Sequence, residues 1–180
     1  MTKAAARFKK GVFSVFVIFL LPIVTVQAQG DVISAFRIKW ENSRPYLLKM
    51  AKKMPAAHYN FQPRERQMSF KKQLLHIRDN MLMLSKRYIA GTSYNDTLKN
   101  PQALTKQETI QQLSNAFDEV NRIVSNMDKD DLSTQVDFFA GPKTKLQILN
   151  LIQDHVTHHR GQLIMYLNLK GIKPPEYVGW

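Results

Sequence analysis

Cysteine is absent from the 180 residues. That excludes disulfides, a cysteine nucleophile, thiolate metal ligands and a lipid-modified amino terminus. Any metal must therefore be held by imidazole and oxygen. No basic run is interleaved with stacking aromatics, which argues against nucleic acid as a partner. Internal repeats and low-complexity tracts are missing, and no glutamate stands beside a histidine pair in the HExxH manner of metalloproteases. Extended alternation is scarce too: only "STQVDFF", Ser133 to Phe139, hints at a strand.

A long apolar run occurs once, at the amino terminus. Lys3, Arg7, Lys9 and Lys10 precede the apolar stretch Val12 to Val26, and "VQA" places small residues at the usual cleavage spacing. Pro22 and the short run speak against a membrane-spanning helix. Residues 1–28 are thus expected to be a cleaved secretory signal, which places the mature chain in the periplasm or outside the cell with no stable membrane span. Residues 29–180 then form one domain with a sizeable core. The leader carries four of the 26 Lys and Arg and none of the 14 acids, so the net charge falls from +12 to 22 − 14 = +8. These cations are scattered, which reads as a solvated basic surface, with attraction of anionic substrates the sharper alternative.

Apolar periodicity predicts four helices. The first covers Asp31 to Lys53, with Val32, Phe36, Trp40, Leu47, Leu48 and Ala51 as its stripe and a kink or break near Pro45. Ser69 caps the second, Phe70 to about Ala90, whose stripe is Phe70, Leu74, Ile77, Met81, Leu84 and Tyr88 and which Gly91 ends. "TKQE" from Thr105 and "TKLQ" from Thr144 are capping-box patterns that open the third and fourth helices. The third runs to about Met127; the fourth ends at Gly171, followed by Pro174 and Pro175. The expected fold is all-α, a four-helix bundle around one core.

The fourth helix carries "DHVTHHRGQLIMYL". Positions four apart lie about 40° from each other on a helix, so His155 and His159 point the same way. Gln162 and Tyr166 continue that face, and Leu151 and Ile152 mark it as the buried one. Two buried imidazoles need partners, either polar groups in the core or one shared metal ion. His158 flanks the pair, about 60° to the other side of His155. A third ligand would come from another helix, with His76 the candidate, because one shared site is simpler than two buried ones. His58 is expected in a solvent-facing loop. Arg160 lies off the ligand face, to grip an acidic substrate or to ion-pair across helices. Asp79 and Asp154 are also off that face, and Gly161 is expected where a neighbouring helix comes close.

"HVTHHRGQLIMYLNLKGIKPP" resembles the carboxy-terminal signature of the DinB/YfiT-like superfamily, in which HxxxHRGQ precedes an apolar helix end, glycine and proline. "NFQPRERQMSFKKQLLHIRDN" resembles the same family's earlier segment, where an aromatic-x-Pro stretch leads into a helix bearing a ligand histidine. The likeness runs from about Asp31 to Trp180. It implies an up-down-down-up four-helix bundle and a divalent metal held by His76, His155 and His159, with Arg-Gly-Gln assigning the third position to His159 rather than His158.

Three imidazoles suit zinc first, with nickel, iron or manganese as other occupants, and leave a position open for water or substrate. The expectation is a metal-dependent enzyme acting on a small molecule, a hydrolase using activated water or a transferase using an activated thiol. Gln162, Tyr166 and Arg160 would then be pocket or supporting residues. The resemblance favours the thiol, whereas export favours water, since the thiol transferases of the family are mostly cytoplasmic. The alternative is a non-catalytic metal-binding bundle that acts by binding a partner, a second copy of itself included.

Overall fold

The computed structural model describes residues 31–95 and 98–180; the leader expected over 1–28 lies outside them. Four helices make up the body: α1 (Val32–Lys53), α2 (Phe70–Leu84, with a wider π turn over Ser85–Ile89), α3 (Lys106–Ser125) and α4 (Lys145–Leu169).

Their ends follow local chemistry. The Asp31 carboxylate accepts from the Ile33 N–H at 3.2 Å, and Ser69 Oγ accepts from Lys72 N–H at 3.2 Å, meeting amides that have no partner inside the helix. Both capping boxes close. Thr105 and Glu108 exchange side-chain to backbone hydrogen bonds, and Thr144 and Gln147 do the same. Gly91 and Gly171 take φ values of +68° and +67°. That left-handed turn lets Thr92 N–H reach Lys86 O and Ile172 N–H reach Leu167 O, each at 2.9 Å, closing α2 and α4.

Three local expectations change. α1 is unbroken through Pro45. Pro45 and Glu41 are both exposed, so water can meet the Glu41 carbonyl that proline leaves without a partner. The α1 stripe is also phased one residue later at its start: Ile33 is buried and Val32 is 40 % exposed. Finally, the extended stretch shrinks to a two-residue strand β1 (Gln135–Val136), paired antiparallel with β2 (Lys143–Thr144) just before α4.

α1 packs against α3 and α4, and α2 packs against the same two, so the order around the bundle is α1, α3, α2, α4. Helices adjacent in sequence, α1 and α2, are diagonal in space, and the loop from Met54 to Ser69 crosses one end of the bundle. Arg37 meets Asn121 while Lys106 meets the Lys52 carbonyl, so α1 and α3 run in opposite directions. Gln153 binds the Phe36 carbonyl and Arg160 covers Tyr46, so α1 and α4 run the same way. The core between them holds Trp40, Phe70, Phe117, Leu47, Met50 and Ile148, all nearly inaccessible. Trp40 lies tilted against the Phe117 ring and donates its indole N–H to the Phe117 carbonyl at 3.1 Å, which satisfies its one polar atom. This arrangement brings the first turns of α2 alongside the later turns of α4.

Candidate metal centre

Between α2 and α4, His76, His155 and His159 come together. One ring nitrogen from each lies within 4.8 Å of the others. His76 Nε2 and His155 Nε2 stand 3.1 Å apart, and the His159 ring centroid is 4.6 Å from that of His76 and 4.4 Å from that of His155. His159 is buried, while the other two are half-buried.

Burial lowers the pKa of all three, because a charged imidazole loses its hydration there. His155 is pushed down to about 3 and His159 to about 4, with repulsion from neighbouring histidines adding to the effect. His76 is lowered by burial as well, and Asp79 works against that shift. The three rings are thus neutral at physiological pH and offer lone pairs.

His159 is held from behind. Its Nδ1 lies 2.6 Å from Gln73 Oε1 and 3.1 Å from Gln162 Oε1. Gln73 Nε2 donates to Gln162 Oε1 at 2.5 Å and faces the Tyr166 hydroxyl at 3.5 Å. The Tyr166 hydroxyl donates to the Met68 carbonyl at 2.8 Å. Gln162 Nε2 in turn meets His158 Nε2 at 3.1 Å. His158 is thereby engaged on the exposed side of α4, outside the three-histidine group.

The donor set fits a divalent cation. Zinc–imidazole bonds of about 2.0–2.1 Å at tetrahedral angles set the nitrogens of one ion about 3.3 Å apart. The His76–His155 pair at 3.1 Å already stands at that spacing, and the widest pair, within 4.8 Å, closes by up to about 1.5 Å as side chains turn onto the ion. Two neutral Nε2 atoms at 3.1 Å share a proton or a cation, and His155 Nδ1 is buried without a hydrogen-bond partner. Nickel and iron suit imidazole equally, so the ligand set leaves the metal's identity open.

A cavity of about 430 Å³ opens beside His159. Gln73, Gln162 and Tyr166 form its polar floor next to the histidine. Met68, Met165 and Leu169 supply apolar wall, and Arg66 is the one charged lining residue among the described residues.

The "HxxxH" helix, the earlier "NFQPRERQ" loop and the third histidine now occupy one site, and a family model describes the same span. The DinB family model matches residues 34–179. The chain belongs to the DinB family. Its fold is similar to that of a DinB-like protein of Bacillus subtilis, with a TM-score of 0.66 at 20 % identity, covering 79 % of this chain and 96 % of that one. A DinB-like protein of Bacillus cereus ATCC 10987 gives 0.63 at 18 % identity, covering 81 % and 97 %. A conserved protein of Enterococcus faecalis gives 0.59 at 14 %, covering 78 % and 98 %. At such identities the likeness is one of fold. None of the curated proteins compared matches the chain.

Within this DinB-family bundle, Gln162 and Tyr166 stand beside the histidines, as their place on the α4 face implies. Arg160 does not. It is 5 % exposed, its guanidinium lies 5.1 Å from the Tyr46 ring centroid, and it makes no ion pair among the described residues. A position five residues past His155 turns it toward α1, away from the cavity. Gly161 is exposed, and a Cβ there would meet nothing within 4 Å, so no helix among the described residues approaches it. Leu151 is 37 % exposed, so Ile152 alone continues the buried face below His155. Asp79 pairs with Arg78 and meets the Tyr94 hydroxyl at 3.4 Å, Asp154 is exposed, and neither joins the site. His58 lies in a short 3-10 turn, half-buried rather than solvent-facing, and outside the group.

Gln73 escaped the sequence reading. A signal existed: Gln73 is three residues after Phe70 and four before Ile77, a polar residue inside an apolar stripe. A buried amide there needs partners, and His159 is one of them.

Proposed function

We propose that this DinB-family protein is a metal-dependent enzyme in which His76, His155 and His159 hold one divalent ion, zinc first, and the cavity beside His159 receives a small electrophilic substrate. The carrying observation is the convergence of three neutral imidazoles on one point next to an open, mostly apolar cavity. Bound there, the ion would supply Lewis-acid chemistry that lowers the pKa of a water or a thiol toward neutrality.

This chain's own residues do the rest. Gln73 and Gln162 hold the His159 ring in place. Met68, Met165 and Leu169 shield an apolar substrate body from water, and Arg66 favours an anionic group at the cavity's edge. Among the described residues no carboxylate lines this cavity, so none of them offers a side-chain base there of the kind a metalloprotease uses. Hydrolysis and thiol transfer both remain within this chemistry. Export, read from residues 1–28, supports water as the nucleophile. The family resemblance supports a thiol.

Elemental analysis of untagged protein should find about one divalent ion per chain. A screen of esters, amides and electrophile-plus-thiol pairs then separates hydrolase from transferase. Metal-free protein after supplementation, with stability unchanged in His159→Ala, overturns the metal reading. Bound metal without turnover in any class leaves a metal-binding module that acts through a partner. A mature amino terminus near Gln29 in the periplasmic or secreted fraction supports export, and an intact chain in the cytosol overturns it.

A further inference from the structure

We infer that Gln73 is a positioning residue that fixes the tautomer of His159, through a chain of hydrogen bonds whose direction is set by the Met68 backbone carbonyl. The consequence for metal binding rests on the function proposed above; the tautomer itself does not.

The direction follows from counting protons. A backbone carbonyl only accepts, so Tyr166 must donate its single hydroxyl proton to Met68 O, 2.8 Å away. The Tyr166 oxygen can then only accept from the Gln73 amide beside it, 3.5 Å away, so the Gln73 end facing Tyr166 is the NH2 group. The carbonyl end of Gln73 therefore faces His159 Nδ1, at 2.6 Å. A carbonyl oxygen needs a donor, so the His159 proton sits on Nδ1 and leaves Nε2 bare.

The same Gln73 orientation sets a second acceptor on the ring. Its Nε2 donates to Gln162 Oε1 at 2.5 Å, and that oxygen also lies 3.1 Å from His159 Nδ1. Two carbonyl oxygens converging on one ring nitrogen are compatible only with an N–H there. Gln73 itself is 4 % exposed, so its amide has little water to turn toward. Histidine in water favours the opposite tautomer, with the proton on Nε2. Here a backbone carbonyl nearly a hundred residues away in sequence reverses that preference, and the bare Nε2 is the atom a metal requires.

The test reads the tautomer first. Nitrogen-15 NMR of the metal-free protein at neutral pH should show His159 protonated at Nδ1. Gln73→Leu, close in size and without an acceptor, should shift His159 toward the Nε2-protonated form and weaken zinc binding about 10- to 100-fold. Gln73→Glu keeps an acceptor against His159 Nδ1 and should retain the Nδ1-protonated tautomer. Tyr166→Phe, which leaves both glutamines in place, should show a mixed tautomer and a smaller loss.

His159 protonated at Nε2 in the unaltered protein overturns the inference. So does an unchanged tautomer in Gln73→Leu, or an Nε2-protonated His159 in Gln73→Glu. If Gln73→Leu does not fold, the unaltered protein and Tyr166→Phe still decide the question by the same spectrum. Absence of zinc binding by the unaltered protein would sink the metal reading, while the tautomer seen by NMR would still decide the role of Gln73.

Discussion

His76 and His155 meet Nε2 to Nε2 at 3.1 Å from positions 79 residues apart. The two neutral rings face each other across the interface of α2 and α4, where they share either a proton or a cation. Ligand binding to the folded state alone adds about 2.7 kcal/mol at a free metal concentration of 100 Kd. For a domain of this size, that corresponds to an unfolding temperature about 5–10 °C higher with zinc than with chelator. Differential scanning calorimetry with and without EDTA checks this. His155→Ala should abolish the difference.

Acid should destabilise the metal-free protein earlier than carboxylate titration alone would. Burial drops His155 to about 3 and His159 to about 4 from an ordinary value of 6.5. Between these values the unfolded chain binds more protons than the folded one, so stability is complete above about pH 6.5 and declines as pH falls toward 3. The expected readout is an unfolding temperature that begins to fall below pH 6.5 in EDTA. A variant with all three histidines replaced should lack that limb, and an equal slope in both proteins would contradict the assignment.

Arg160 sits under Tyr46 with one guanidinium nitrogen buried and unpartnered. Its aliphatic stem fills core space, whereas its charge is costly there. Arg160→Met should therefore change stability by less than about 1.5 kcal/mol in either direction and leave metal binding untouched. Tyr46→Ala removes the ring, opens a cavity and strands the cation, at a cost of about 3–5 kcal/mol. Urea titration of both variants separates the two contributions. A large metal-binding defect in Arg160→Met would return this side chain to the site.

Gly161 is an exposed glycine inside α4 with open space where a Cβ would go. Gly161→Ala should stabilise the protein by about 0.5–1 kcal/mol through backbone entropy and helix propensity. Thermal unfolding measures it. Destabilisation would mean that something other than the described residues packs there, a second copy included.

Much of the scaffold was legible because it depends on neighbours in sequence. Thr105 with Glu108 and Thr144 with Gln147 close their boxes within four residues, and Gly91 and Gly171 end helices through their own backbone freedom. The stripe from Phe70 to Tyr88 is buried as its spacing implies. Where periodicity was imperfect, phase was lost. Val32 and Leu151 both read as core and are partly exposed, since an apolar residue at the edge of a stripe can face either way until a neighbouring helix covers it.

Sequence alone determined that His155 and His159 share a face, because the 3.6-residue turn dictates it, and its likeness to the DinB family pointed to His76. It also determined that no thiolate could serve as a ligand. Tertiary structure decided what lies behind and beside those rings. Gln73 backs His159 only because α2 and α4 pack in opposite directions, and Tyr166 finds Met68 only because the loop leading into α2 crosses that end of the bundle. Arg160 turned toward Tyr46 for the same kind of reason: α4 has a second face, and α1 covers it. Such partners are fixed by which helices pack side by side, and that packing is settled by the whole core rather than by any one stretch of chain.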